Sequence, residues 1–373
     1  MSIKQKKIIV SVTNDLSYDQ RVSKVCMSLH NCGYNVLLVG RKLKDSTHLE
    51  RPYLTRRFKL LFNKGFLFYA SYNFRLFVFL LFTKGDVYHA NDLDTLLANW
   101  LVAKIKNKRI VYDSHEYFTG VPEIQHRPVV RKVWERIEER IFPNLTNVFT
   151  VNSSIADLYQ NKYNVSVKVL RNLPLRENIV KVETRESLSL PNNKGVVILQ
   201  GAGINIDRGA EELLEAIALS NNLFLCVVGS GDVIQILKTR ANQKDLQNKV
   251  LFTGKIPYKQ MMQYTMNSDL GVSLDKDTNI NYRFSLPNKI FDYLKAQIPV
   301  VCSDLKEVSM LVRQYDIGLV CESHDPKTLL NTINHAILKK KNNEFSSSLE
   351  SAIKKLNWES EVEKLVDLYS GFD

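Results

Sequence analysis

The stretch SLPNKIFDYLKAQIPVVCSD, residues 285–304, sets a lysine and an aspartate three residues apart behind a proline. Pro287 suits the first turn of a helix, where a missing N–H is no loss. Helical spacing then predicts that Lys289 and Asp292 share a face with Ser285 and Asn288. A cation and bare N–H groups at a helix entrance can meet phosphate oxygens, while a carboxylate one turn deeper can accept hydrogen bonds from a ribose diol. An i,i+3 ion pair on a solvated face has the same spacing. A second stretch, LQGAGINIDRGAEELLEAI from Leu199, is the natural companion. Its strand ends at Gln200, Gly201 and Gly203 permit close backbone approach, and Arg208 stands beside a helix start predicted near Gly209, a combination suited to phosphate. A dinucleotide fingerprint fails because Ile206 takes the place of the third glycine, and a P-loop fails for want of Gly-Lys-Ser/Thr. A glycine-rich turn without ligand stays open.

Positioning such residues requires a scaffold, and the chain supplies an α/β pattern. Short apolar runs recur at 7–12, 35–40, 86–90, 109–114 and 147–151, and again from 195, 224, 249, 270, 298 and 317, with helical periodicity between them. Continuous apolar strands separated by helices imply parallel sheets covered on both faces. Two series imply two doubly wound Rossmann-like domains, as a 373-residue chain leads one to expect. Residues 174–194 lose periodicity and gain polar residues, which places a linker there. The expected domains are 1–172, completed by 357–373, and 173–356. Ligands in such sheets bind beyond the carboxyl ends of strands, so two sheets facing each other would form a cleft.

Polar residues gather after several predicted strands. Asp15, Asp19 and Arg21 in NDLSYDQR, and Asn91 and Asp92 in HANDLDTL, are candidates for the acceptor side of that cleft. Gly229 and Gly231 in VVGSGD fit a backbone close to a ligand, or a tight turn. The acids of DKD at 275–277 read as solvated loop residues.

Charge is uneven. Residues 1–180 hold 28 Lys and Arg against 15 Asp and Glu, and the remainder 23 against 24. One half is therefore expected to face a polyanion. Residues 51–82 interleave basic residues with Phe, Leu and Tyr, a pattern that suits an anionic membrane surface better than nucleic acid. The competing reading is a core helix from Phe74 to Phe82 beside a solvated basic loop. Asn73 and Arg75 interrupt the apolar run, which argues against a span. Five cysteines form no CxxC pair, as expected of a reducing compartment, and the first residues read as a strand rather than a signal peptide.

In their order and spacing, GAGINIDRGAEELLEA, VVGSGD, VLFTGKIPYKQMMQYTMNSDLGVSL and SLPNKIFDYLKAQIPVVCSD resemble glycosyltransferase family 4, retaining enzymes of the GT-B fold. VTNDLSYDQRVSKVCMSLHNCGYNVLLVGR, DVYHANDLDTLL and IVYDSHEYF are similar to a bacterial branch, and NWESEVEKLVDLYSGF resembles the C-terminal helix that crosses back to the N-terminal domain. The likeness covers nearly the whole chain.

The resemblance implies transfer of a sugar from a nucleotide-diphosphate sugar, UDP favoured over GDP, to a saccharide or lipid-linked saccharide in surface polysaccharide or glycan synthesis. Asp292 takes the place of the second acid of the family's E-x7-E motif; the first falls at Phe284, a departure. Arg208 matches the second of two pyrophosphate cations; the first falls at Ala202, a further departure that leaves Lys289 to supply the missing charge. Lys255 and Ile256 stand where the family holds the base. The imidazole or the backbone of His115 would contact the transferred sugar and help stabilise charge at the anomeric carbon, with Glu116 orienting it or binding acceptor. A structural histidine is the competing reading. GT-B enzymes use helix ends and basic side chains for the leaving group, so DLD at 92–94 is not read as a metal motif, and neither metal nor cofactor is expected. The expected place is the cytoplasm, peripheral on the inner membrane face. A nucleotide-sugar 2-epimerase of the same architecture and a basic nucleotide- or nucleic-acid-binding protein remain as alternatives.

Overall fold

The computed structural model describes residues 6–17, 19–125, 127–176 and 180–372. The chain divides into two compact units, Met1–Asn172 with Glu361–Asp373, and Leu173–Ser360. The first is built on seven strands: β1 (Lys7–Asp15), β2 (Asn35–Arg41), β3 (Leu54–Phe58), β4 (Val87–Asn91), β5 (Arg109–Ser114), β6 (Val148–Thr150) and β7 (Val167–Val169). They lie in the order β3-β2-β1-β4-β5-β6-β7 and pair in parallel throughout. The second unit holds β8 (Gly195–Gly201), β9 (Leu223–Gly229), β10 (Val250–Gly254), β11 (Leu270–Ser273), β12 (Val300–Ser303) and β13 (Gly318–Cys321), in the parallel order β10-β9-β8-β11-β12-β13. Strand order reverses between β1 and β4, and between β8 and β11. These are the switch points where a crevice opens beyond the strand ends.

Strand alternation explains why every run is apolar without a polar face. In the second unit Val196, Ile198, Val300 and Cys302 join one buried cluster, while their neighbours Val197, Leu199 and Val301 join another. Adjacent residues point to opposite faces, and both faces are covered by helices. Two strands escape the pattern expected from sequence, β3 and β7. The first, LTRRF, sits at a sheet edge bonded only to β2, so outward arginines cost it little. The apolar helix is also longer than 74–82, running from Gly65 to Phe82 as α2, the helix that follows α1 (Gln20–Asn31).

The segment expected to be a linker is tied to the second unit. Leu188 and Leu190 enter its core, Arg185 pairs with Asp269 at 2.7 Å, and the Gln263 side-chain Oε1 accepts from Val182 N–H at 3.0 Å; residues 177–179 of that segment lie outside the described ones. At the C-terminus, Tyr369 is buried in the first unit with its hydroxyl 2.7 Å from His89 Nδ1, and Glu361 accepts from Arg171 N–H at 3.0 Å.

Candidate active site

In the second unit the switch point collects the residues on which the phosphate reading rests. Gly201 closes β8, and Asp275 lies just beyond β11. Arg208 reaches Asp275 with Nη1 3.5 Å from Oδ2, its guanidinium stacked 4.6 Å over the Tyr282 ring. Ser285 donates to the same oxygen at 3.3 Å. Lys289 opens the short helix Lys289–Lys295, and its Cε lies 3.9 Å from where a Cβ on Gly201 would stand. Burial pushes the Lys289 ammonium below the usual lysine range; Asp275 pulls it back up, and the Arg208 charge opposes that pull. Arg208 thus pairs with Asp275, and Lys289, beside Gly201, feels the charge of the same carboxylate from farther off. Asp275 is 2 % exposed, which corrects its reading as a solvated loop acid; Asp277 does remain at the surface, paired with Arg283 at 2.8 Å. Two cations together in a half-buried pocket would repel, and the charge of Asp275 offsets that repulsion.

One turn into that helix, Asp292 accepts from Tyr258 hydroxyl at 2.8 Å and from Gln200 Nε2 at 3.0 Å. Thr265 donates to Gln200 Oε1 at 2.7 Å, which fixes the amide with its NH2 toward Asp292. A carboxylate offers about four lone-pair directions, so Asp292 keeps acceptor capacity for a diol. Sequence alone does not single out Tyr258, Thr265 and Tyr282, and it shows Gln200 only as a strand end and Asp275 only as a solvated acid; each acts through a long-range contact that spacing along the chain does not encode.

The glycines after β8 and β9 serve each other. A Cβ on Gly229, at φ +135°, would stand 1.8 Å from the Gly201 carbonyl oxygen, and one on Gly231 would stand 1.9 Å from that of Ile204. The two loops are laced by Ser230 N–H to Gly201 O at 3.1 Å and Ile204 N–H to Ser230 O at 3.0 Å. Gly229 and Gly231 thus permit loop-on-loop packing that shapes the pocket wall. A Cβ on Gly203 would meet the Asn205 side-chain nitrogen at an ordinary 3.8 Å. Asn288 is exposed at the helix entrance, Lys255 is exposed after β10, and Ile256 packs against the core. Ala202 is exposed, and Phe284 lies under Lys306 at 5.9 Å, so neither departure from the family pattern is repaired by its own side chain.

In the first unit His115, just past β5, is caged by acceptors. Its Nδ1 is 3.2 Å from Asp92 Oδ2; its Nε2 is 3.2 Å from Asn91 Oδ1 and 3.5 Å from Asp113 Oδ2. Asp92 Oδ1 also accepts from the His115 backbone N–H at 2.8 Å. Both ring nitrogens face only acceptors, so the ring carries two protons. Burial works against that charge, but Asp92 and Asp113 outweigh it and raise His115 to about 9. His89, on β4, lacks such partners, and burial takes it down to about 4. A cationic ring favours a negative group, so of the two routes expected for His115 the backbone, not the imidazole, suits a positive anomeric carbon. Asp92 and Asp113, rather than the exposed Glu116, orient the ring; it is the backbone carbonyl of Glu116 that is engaged, by Ser114 at 2.7 Å.

The other polar residues of this unit divide sharply. Arg21 is 4 % exposed, forks onto Asp113 with contacts of 2.7 and 3.0 Å, and donates to Leu170 O at 2.9 Å, so it braces the sheet ends instead of lining an acceptor surface. Asp19 caps α1 through Val22 N–H at 3.0 Å and accepts from Asn14 at 3.0 Å. Asp15 is buried under hydrogen bonds from Ser46 and the Ser17 N–H. Asn91 is buried, donating to Ser11 O at 3.0 Å. Asp94 sits in α3 (Leu93–Ile105), accepts from Thr13 at 2.6 Å, and is raised to about 8 by burial and then by Asp92. Of these polar candidates Asp92 is the one with a strained backbone, at φ +57° and ψ 166°. Strain of this kind persists where surroundings over-determine it, and here the surroundings are the His115 contacts.

Residues 20–172 match the family described as Glycosyltransferase Family 4, and residues 181–355 match Glycosyl transferases group 1. A teichuronic acid biosynthesis glycosyltransferase of Bacillus subtilis, TuaC, is 27 % identical over 141 residues, which is 38 % of this chain and 32 % of that protein; the match thus spans about a third of the relative's length. Among solved structures, sucrose-phosphate synthase of Thermosynechococcus elongatus superimposes with a TM-score of 0.79 at 16 % identity, covering 98 % of this chain and 99 % of that one. A glycosyltransferase of Rickettsia africae gives 0.76 at 12 % identity over 99 % of both chains. HepE of Anabaena, solved with UDP, gives 0.71 at 16 % identity over 98 % of this chain and 100 % of that one. With two family models accounting for nearly all of residues 20–355 and the fold shared across whole chains, this protein belongs to the family-4-like glycosyltransferases of the GT-B fold.

Proposed function

We propose that the chain transfers a sugar from a nucleotide-diphosphate sugar, UDP-linked in the first instance, to a saccharide or lipid-linked saccharide during surface polysaccharide synthesis, with retention of configuration and without a metal. The observation that carries this is the placing of Arg208, paired with Asp275, and of Lys289, its Cε beside Gly201, at one switch point, with Asp292 one turn deeper. A pyrophosphate entering there takes over from Asp275 as counter-ion to the two cations, and Asp292 receives the ribose hydroxyls. The charge that grows on the departing diphosphate is then met by fixed cations, which is where such catalysis has most to gain. Similar proteins support the same donor and process: HepE was solved with UDP and with UDP-glucose, and TuaC is named for teichuronic acid biosynthesis.

The test begins with thermal shifts against UDP, GDP and their sugar conjugates. It continues with the stabilising donor, an extract of lipid-linked and free oligosaccharides, and chelator throughout. Release of nucleoside diphosphate with a new α- or β-glycoside of the donor's own anomeric configuration is expected. An isomerised donor sugar without glycoside would replace transfer by epimerisation, and inversion or a strict metal requirement would overturn those parts of the proposal.

A further inference from the structure

Helix α2 is apolar on both sides. Phe68, Tyr72, Leu76 and Leu80, four residues apart, are buried in the first unit's core. The other face exposes Phe66, Leu67, Phe74, Val78 and Phe82, with Phe74 72 % and Phe82 83 % exposed, and the preceding loop adds Leu61 at 94 %. Only 22 % of the 18-residue helix is buried. Residues 51–85 carry seven Lys and Arg and no Asp or Glu. Beside α2 runs a groove of about 530 Å³, with Phe58, Phe74 and Phe79 among its floor residues and Arg56, Lys59 and Arg75 at its rim. The cations lie against apolar surface: Arg75 stacks 4.9 Å over Phe58, and Arg41 4.6 Å over Phe68.

Length and hydropathy alone would let α2 cross a bilayer. Its anchorage forbids that, because Tyr72 donates to Val12 O at 2.6 Å, Asn73 donates to Asp94 O at 2.7 Å, and the Leu76 and Leu80 side chains are wholly buried. A helix held along one face and apolar on the other, ringed by cations, matches an interface in which acyl chains lie beside anionic headgroups. A protein partner would have to bring both a large apolar face and a dense acidic rim. Nucleic acid would leave Phe66, Phe74 and Phe82 facing phosphates.

We propose that the outer face of α2 and its groove are a membrane-docking surface, on which Phe66, Phe74 and Phe82 enter the acyl region of an anionic lipid leaflet, the groove takes a hydrocarbon chain, and Arg56, Lys59 and Arg75 hold the headgroups. The inference is independent of the transferase reading, since it rests on residues outside the donor and His115 clusters.

The full chain is sedimented with vesicles of phosphatidylcholine alone and with one-third phosphatidylglycerol. Binding to the anionic vesicles, at least tenfold tighter than to the neutral ones, is expected and should weaken with salt. Two double variants, Phe74→Ser with Phe82→Ser and Arg56→Gln with Lys59→Gln, touch only exposed side chains and should each lower binding roughly tenfold while leaving melting temperature and transfer to a soluble acceptor unchanged. Equal binding to both vesicle types, or variants that bind as the parent does, overturns the proposal. So does a dimer, seen by light scattering without lipid, that the Phe variant dissolves, since the occupant would then be a second copy.

Discussion

Replacing Asp92 by Asn removes one of the two carboxylates that hold His115 while keeping the shape of the side chain. The amide oxygen can still accept from the His115 N–H, so the loop has no reason to move. The charge of Asp92 is the largest single favourable influence on the ring, Asp113 acts by both charge and hydrogen bond, and together they overcome burial to bring it from 6.5 to about 9. An opposite charge at this range moves a pKa by roughly one to three, so the variant's His115 should titrate between about 6 and 8. Asp94, whose rise to about 8 owes its second cause to Asp92, should fall at the same time. The ring signals can be followed by NMR from pH 5 to 10.5, with His115→Gln identifying the resonance among seven histidines. Linkage supplies a second readout. Because the folded pKa is raised, the stabilisation is complete below about 6.5 and is lost as pH climbs through about 9; it is worth at most about 3 kcal/mol. In the variant this loss should come at lower pH and be smaller. If the transfer rate uses the ring's charge, its alkaline limb should shift in step. A parent His115 that titrates at or below 6.5, or a variant unchanged from the parent, refutes the caged-cation account.

Three further outcomes follow from contacts of known geometry. Lys289→Ala should weaken UDP binding about 10- to 150-fold by calorimetry, the loss of one charge-assisted contact of about 1.5–3 kcal/mol, and an unchanged constant would remove Lys289 from the diphosphate site. Asp113→Asn leaves Arg21 buried without its partner charge and should cost about 3–5 kcal/mol in urea unfolding; a loss under 1 kcal/mol would mean that Leu170 and water suffice. Gly229→Ala places a methyl 1.8 Å from the Gly201 carbonyl at a strained φ, and should lower stability by about 1–3 kcal/mol and blunt the UDP thermal shift, whereas a parent-like melt would show that the loops yield freely.

Where the chain is legible and where it is not follows from the range of the forces involved. Strands β1, β2, β4 and β8 announce themselves because burial on both faces demands consecutive apolar residues, a local mark. Strand β3 hides behind its arginines because an edge strand answers to one neighbour, and β7 is three residues long. Arg208, Lys289 and Asp292 are readable because a helix entrance and its first turn are local geometry. Asp275 was not: DKD has the look of solvated loop until β8 and β11 become neighbours and bring Arg208, 67 residues away, to its carboxylate. Arg21 fails in the same way, its counter-charge lying 92 residues downstream on β5. In both cases the polar residue after a strand was correctly placed at the carboxyl edge of the sheet. What spacing could not supply was whether a second charge already stood there. This bears directly on mechanism, because a cation that has an internal carboxylate, as Arg208 has, must exchange it for the ligand. Affinity for a diphosphate then reports the difference between two ion pairs, and Asp275→Asn, by removing the internal competitor, should separate cation positioning from cation charge: tighter UDP with slower transfer if Asp275 mainly aligns Arg208, weaker UDP if the two cations drive each other apart without it.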